Sequence, residues 1–451
     1  MADNFGNDIF LSWRIYDWKT AIFDLYLGQH LIFSASCRGD VRRVYEFQVA
    51  LLSNDAVRFI SIRYALTEIK QDQLVGCDGK ITLSYKERFE LQESLKLKGL
   101  KWQIGAVRET FNTGSFKGLN KRRVFNLVDR AWLILMAFIL TPAQQGYFHP
   151  RSVGFREGYS IFDVQKIFRI NMSQGAGGFE KRVLIVSFKP SFECYDVDYL
   201  VNKIIVNKEI KICILQALNS GLIPEFIDQS LNLPSLLANV LLHGIEKIHS
   251  CVRFGNNIAF FLSPEDCELV ISEKVKKFTK RAGIPWNSVK IQVKSLSEGI
   301  NFCGWNFRLS LKGKFIAEPG FKEYQSFTKR IKNVINNSNY GAYIKVNKLS
   351  PILRNLRGRY FLGSDNLWNK KKFRIYNEKA FQAFAKQKDQ DPYSTKRLLN
   401  KMVGPFEKKL PMDDFFSYRD HNSFILKSIN PKSRMNRICR CKDCGSKFTK
   451  G

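Results

Sequence analysis

Four stretches of this 451-residue chain gather residues whose types and spacing could do chemistry. The first is Val252-Arg253-Phe254-Gly255-Asn256-Asn257-Ile258-Ala259-Phe260-Phe261, an apolar strand, a tight turn and a second apolar strand, which is the short-range signal of a β-hairpin. Its tip presents two amides. An amide exchanges hydrogen bonds but brings no charge with which to clamp a divalent ion. The second stretch, Val183 to Leu200, reads as an apolar strand running into a helix start. Glu193, Asp196 and Asp198 sit near that start, where carboxylates either favour the positive end of the helix dipole or serve a metal. The third is a cysteine cluster, Cys439, Cys441 and Cys444, whose Cys441-x-x-Cys444-Gly445 portion has the form of a zinc-knuckle turn. No further Cys or His follows it to complete four ligands, so both bound zinc and a vestigial turn stay open.

The fourth stretch is basic. From Phe321 to Ala380 there are fourteen Lys or Arg against three acidic residues. Lys322 through Ile335 has helical periodicity, with Phe327, Ile331, Val334 and Ile335 on one face. Ser350 suits an N-cap and Pro351 a first helical position, after which Arg354 and Arg357 share a face with Arg359 close by. Lys370-Lys371-Lys372-Phe373-Arg374 follows with an aromatic interleaved. Guanidiniums fork onto phosphates and Phe or Tyr stacks on unpaired bases, so this region reads either as an RNA-binding face or as a solvated charged helix. A second cluster, Lys117, Lys121, Arg122 and Arg123, precedes a long apolar segment.

The whole chain shares this bias, with 72 Lys plus Arg against 41 acidic residues and a net charge of +31. Such an excess points to a polyanionic partner. The 37 Phe point to an A/T-rich genome, which also inflates lysine without selection for binding. At 45% hydrophobic residues the chain can bury proper cores and is no disordered basic tail. The apolar run Ala131–Leu140 is about half of what a bilayer span needs, so a buried helix and no membrane partner are expected. The first residues are acidic and show neither a secretory segment nor an arginine-rich transit pattern. Cys37, Cys77, Cys194, Cys213, Cys251, Cys267 and Cys303 read as reduced core residues and not as a disulfide framework.

Several blocks, in order, resemble the group II intron reverse transcriptase/maturase family. Ser152-Val153-Gly154-Phe155-Arg156-Glu157-Gly158-Tyr159-Ser160 resembles that family's Ser-Tyr-Gly-Phe-Arg-Pro-Gly-Arg-Ser. Leu233-Pro234-Ser235-Leu236-Leu237-Ala238-Asn239 resembles its Ser-Pro-Leu-Leu-Ala-Asn block, with Gln229 at the family's Gln and Ser230 and Leu231 departing from it. Lys290 followed by Gly299 through Phe307 resembles Lys-Thr and then Gly-Phe-Phe-Leu-Gly-Phe. Earlier, Ser34 to Val41 and Gly76-Cys77-Asp78-Gly79 join the pattern, and Pro351, Arg354 and Tyr360 match the maturase motif. The family's hairpin carries paired aspartates and its first strand another, and the resemblance puts Ser187, Asn256 and Asn257 at those three positions.

What the resemblance implies is an α+β chain with reverse-transcriptase-like fingers and palm, a helical thumb (maturase domain X) and a small C-terminal tail. The expected divisions are 1–125 for the N-terminal and finger region, 126–312 for the degenerate palm, 321–405 for the thumb and 406–451 for the basic tail. Strands are expected near Leu184 and Phe302, helices near Asp198, over Leu233–Ile248 and over Glu265–Ala282, and a short strand between Leu95 and Ile104. The implied function is a maturase-like, non-enzymatic RNA-binding splicing cofactor for group II or group III introns, with no catalytic residues and no required cofactor. RNA contacts are expected from Lys121, Arg122, Arg123, Arg151, Arg156, Lys290, Arg354, Arg357, Arg359, Tyr360, Lys370, Lys371, Lys372 and Arg374, with Arg156 equally suited to a buried structural pairing. Intron-containing RNA is the expected partner, other splicing factors are further candidates, and zinc at Cys439, Cys441 and Cys444 is the one candidate metal. The A/T-biased composition is similar to that of plastid-encoded maturase-like proteins of euglenoids, which implies a plastid location. An active reverse transcriptase with displaced metal ligands and a general RNA chaperone are the rival readings.

Overall fold

In a computed structural model, the described residues are 13, 15–67, 75–112, 120–226, 232–310, 313–341, 343–349, 351–352, 397, 439–440 and 447–448. The described helices of the N-terminal region include α1 (Trp18–Arg38), α2 (Val41–Ser53), α3 (Asp55–Thr67) and α4 (Tyr85–Lys98). Their starts are written locally. Asp17 accepts the Lys19 and Thr20 N–H groups, Asp40 that of Arg43, and Ser84 and Glu87 form a reciprocal capping box. Leu95, expected in a strand, lies in α4, because Leu91 and Leu95 fall one turn apart and both bury against the core. The strands of this region come instead at Arg108–Asn112 (β1) and Asn120–Val124 (β2), an antiparallel pair.

α1, α2 and α3 pack around α5 (Leu127–Tyr147), which contains the apolar run Ala131–Leu140, while α4 packs on α3. This is the one helix among the described residues long and apolar enough to cross a membrane, and it is almost wholly buried inside the protein. Asp129 finds partners there, accepting from Trp102 Nε1 at 2.9 Å and Gly105 N–H at 3.2 Å. Burial raises the Asp129 carboxyl above its usual range despite those donors.

After α6 (Ile161–Met172) the chain enters a four-stranded antiparallel sheet built from β3 (Arg182–Ser187), β4 (Cys251–Phe254), β5 (Asn257–Leu262) and β6 (Lys290–Ser295), in the order β4-β5-β3-β6. The expected strand near Leu184 and the hairpin at Arg253 are both there. Alternation along β3 divides the interior. Leu184 and Val186 face the large core shared with α7 (Val197–Lys203), α8 (Lys208–Asn219), α9 (Asn232–Leu242) and the N-terminal helices. Val183 and Ile185 face a smaller core with α6 and a three-stranded sheet, β7 (Ile300–Phe302), β8 (Trp305–Leu309) and β9 (Phe315–Pro319). Phe168 and Phe307 stack at 4.2 Å in its centre.

α9 stops at Leu242, short of the expected Ile248, because Gly244 adopts φ 96° and turns the chain. α10 (Glu268–Arg281) and α11 (Phe321–Ile335) match the helices expected there. On α11, Phe327, Ile331 and Ile335 are buried, as their spacing requires. None of the seven cysteines expected in the core is in a disulfide, but only Cys213 and Cys251 are buried. Cys37 lies on the outer face of α1, and Cys77, Cys194 and Cys267 lie in loops or just before a helix, so all four are exposed. The fold is thus α+β, a mixture of packed helices and small antiparallel sheets.

Two glycines bring the hairpin against its neighbour. The segment 151–153 runs parallel to β4, with Arg253 N–H on Arg151 O at 2.9 Å and Val153 N–H on Arg253 O at 2.8 Å. Just beyond, a Cβ on Gly154 would lie 2.2 Å from Gly255 N, and Gly255 itself has φ 60°. Gly255 therefore opens a two-residue turn of the II′ kind, which asks for glycine at its first central position. We expect Gly154→Ala to lower stability by about 3 kcal/mol or more, since backbone meets backbone and nothing flexible can yield. Urea unfolding of the variant checks this, and a change below about 1 kcal/mol would mean the two segments are not locked together.

Candidate functional site at the hairpin end of the central sheet

The three positions singled out from sequence come together in space. Ser187, the last residue of β3, is paired with Asn257 across β5 and with Lys290 across β6. Side chains of directly paired residues leave the sheet on the same face. Ser187, Asn257 and Lys290 therefore form one row, at the solvent end of the apolar column Val183–Ile185. Asn256 sits in the adjoining turn and is joined to β3 twice. Its carbonyl accepts from Phe188 N–H at 2.9 Å, and its Nδ2 donates to Phe188 O at 2.6 Å. That bond fixes the orientation of the amide, leaving Asn256 Oδ1 to accept from Asn257 Nδ2 at 3.1 Å.

A hydroxyl, two amides and an ammonium thus occupy this end of the sheet, a donor-rich set poorly matched to a hard divalent cation. The nearby carboxylates are engaged elsewhere. Asp196 caps α7 by accepting from Tyr199 N–H at 2.8 Å, with Asp198 in the same first turn, as a helix start predicts. Glu193 lies 3.9 Å from the Arg123 guanidinium. Among the described residues no group of three or more His, Cys, Asp or Glu could hold a metal ion. A cavity of about 510 Å³ lined by Glu193, Tyr195, Asp196, Leu218, Leu222 and others opens beside α7. The Tyr195 hydroxyl there is pushed up to about 12 by burial.

Beneath the row lies a buried polar network that sequence reading missed. Arg253 and Glu246, with fully buried side chains, form an ion pair at 2.6 Å. Arg253 also donates from Nη1 to Asn239 Oδ1 at 2.8 Å, and Asn239 Nδ2 donates to Gly154 O at 3.1 Å. Three of the quoted sequence blocks are therefore held by one set of bonds. Glu246 pays the cost of burial, yet Arg253, His243 and hydrogen bonds overcome it and hold the carboxyl down at about 2. The same setting drives the His243 imidazole down to about 4, mainly through burial. Lys203 caps the end of α9, donating to His243 O at 2.7 Å, and burial lowers it to about 8. The signal was an arginine inside an otherwise apolar strand, which only a buried acid can balance.

The basic candidates separate by placement. Lys290 is exposed, and Arg151 is partly exposed with Nη1 on Ser250 Oγ. Arg156 takes the structural role. It is 8% exposed, donates to Gln145 Oε1 at 2.9 Å, His149 O at 2.8 Å and Ser152 O at 2.6 Å, and lies over the Tyr159 ring. Arg123 is likewise turned inward among Glu109, Glu193 and Glu225, at 3.7 to 3.9 Å. Three carboxylates, from β1 and the central region, converge on this guanidinium and offset its positive charge. Lys121 and Arg122 lie on β2 with side chains outside the described residues, as does Lys117 altogether. Arg354, Arg357, Arg359, Tyr360, Lys370, Lys371, Lys372 and Arg374 lie outside them too. Cys441 and Cys444 also lie outside, while the Cys439–Arg440 backbone pairs with Lys447–Phe448.

No family model matches the chain. Two curated proteins are similar over nearly its whole length. It is 33% identical to Maturase-like protein 1 of Euglena gracilis over 442 residues, covering 95% of this chain and 96% of that protein. It is 32% identical to Maturase-like protein 1 of Euglena longa over 409 residues, covering 89% and 88%.

Replacing Arg253 by Met should cost about 3–5 kcal/mol in urea unfolding, because Glu246 is left as an uncompensated buried charge. Arg253→Met with Glu246→Leu should recover a large part, and equal losses in single and double variants would disprove the pairing. Asn256→Asp sets a carboxylate oxygen against Phe188 O where a donor is required, and should cost about 1–3 kcal/mol by the same measurement. A third outcome concerns pH. With its folded value depressed, His243 stays neutral in the fold while the unfolded chain takes up a proton near 6.5, so its contribution is intact above about 6.5 and falls as pH drops toward about 4. His243→Phe should flatten that fall in the urea midpoint, with a residual slope from His149, which burial also holds down.

Proposed function

The chain belongs to the family of maturase-like proteins, and on that premise we propose that it is an RNA-binding splicing cofactor, which assists the folding and excision of group II or group III introns. The observation that carries this reading is similarity to maturase-like proteins along nearly the full length of both chains. Its charge of +31 suits a polyanionic partner. In this reading the four-stranded sheet is the palm of a reverse-transcriptase scaffold, β1 and β2 belong to the fingers, and α11 opens the thumb. Polymerase chemistry is absent, because paired carboxylates must clamp two divalent ions before phosphoryl transfer and this end of the sheet supplies Ser187, Asn256 and Asn257.

What remains is grip. A protein that binds the active fold of an intron more tightly than its misfolds shifts the population by that difference in affinity, without touching the bond being broken. The basic stretch around Arg354, Arg357 and Arg359 is the assigned RNA face, with the plastid as the compartment.

Neutralising Arg354, Arg357 and Arg359 together should weaken binding to intron transcript and flatten its dependence on salt by up to about one released counterion per contact. Binding titrations from low to high salt, with an unrelated structured RNA as competitor, read both. Equal affinity for both RNAs would favour a general RNA chaperone. Chelator-sensitive primer extension by the purified protein would overturn the loss of polymerase chemistry.

A further inference from the structure

We propose that the hairpin end of the central sheet is an anion site that takes a backbone phosphate of a bound RNA strand, where a cation would sit in a polymerase-type scaffold. The row Ser187–Asn257–Lys290 carries the inference. These residues are register neighbours on adjacent strands, so their side chains rise side by side from one face. Lys290 is exposed and has no carboxylate partner among the described residues, and Lys189, two residues beyond Ser187, is likewise exposed and unpaired among them. Phe188 N–H on Asn256 O carries the β3–β5 pairing one residue past the strand, which keeps Lys189 at this same end.

The acids that could neutralise these lysines are held away. Asp196 is engaged by the first turn of α7, and Glu193 and Glu225 turn to Arg123. The neutral groups are supplied as donors. Asn256 spends its amide on Phe188 O, which turns Asn257 Nδ2 toward Asn256 Oδ1 and leaves its second N–H for a ligand, beside the Ser187 hydroxyl. An ammonium, a hydroxyl and an amide N–H in one row match the oxygens of a phosphodiester. The platform is rigid, since Gly154 and Gly255 lock the hairpin backbone against the 151–153 segment.

The identity of the phosphate's owner rests on the RNA-binding reading above, whereas the site itself does not. The test compares the full-length protein with Lys290→Gln, Lys290→Arg and, as a control on a surface lysine of α4, Lys86→Gln. For an intron transcript, Lys290→Gln should lower the slope of log affinity against log salt by about 0.7–0.9, while Lys290→Arg and Lys86→Gln keep it. In parallel, thermal stabilisation by inorganic phosphate, measured against an equal ionic strength of chloride, should be smaller in Lys290→Gln than in the parent. If the parent binds RNA and Lys290→Gln leaves the slope unchanged, the inference is overturned and the splicing-cofactor reading survives. If the parent binds no RNA, that reading fails. The phosphate measurement then decides alone, and equal stabilisation of parent and variant overturns the anion site.

Discussion

A guanidinium and a carboxylate with fully buried side chains, Arg253 and Glu246, set the geometry on which the rest of this molecule depends. Neither could be tolerated alone in so apolar a setting. Their partnership requires α9 to place Asn239 at one distance from β4, and requires the turn after α9 to present Glu246 inward. Gly244 N–H completes the arrangement by donating to the second carboxylate oxygen at 2.9 Å. Hydrophobic packing would allow these elements to slide a little, whereas charge-assisted bonds at 2.6 to 2.8 Å do not. The position of the hairpin tip, and with it the row Ser187–Asn257–Lys290, is inherited from this network.

The tip itself shows how a backbone can hold its shape whatever side chains stand at its end. Backbone pairing between β3, β5 and β6 depends on N–H and C=O groups that every residue possesses. The side chains at its end can therefore change without disturbing the sheet. Asn256 does more than occupy a place, because its amide closes the turn onto Phe188 O in a way that a carboxylate could not.

Much of the layout was legible in the sequence, and the reasons differ by element. The hairpin announced itself through Gly255 between two apolar strands, and the Asp196 helix start through its carboxylates. The juxtaposition of Ser187 with Asn257 came from the family resemblance, and strand register then made it physical. The misplaced strand at 95–104 has a plain cause: a few alternating residues look alike in a strand and at a helix end, and Leu95 buries in α4. The inward turn of Arg123, and the choice between the two readings open for Arg156, were not legible because a positive charge in a sequence does not say which way it points. Their partners, Glu109, Glu193 and Glu225 for one and the carbonyls of 149 and 152 for the other, are brought near only by the fold.

The close crossing of Gly154 and Gly255 has a consequence for how this end of the sheet could meet a ligand. With main chain pressed on main chain, the hairpin has no slack with which to remodel itself around a ligand. Adaptation is left to the unbranched aliphatic arms of lysines such as Lys189 and Lys290, which sweep a wide arc at small energetic cost. In the anion-site reading proposed above, a stiff floor carrying pliant charges tolerates different strand paths while still insisting on a polyanion.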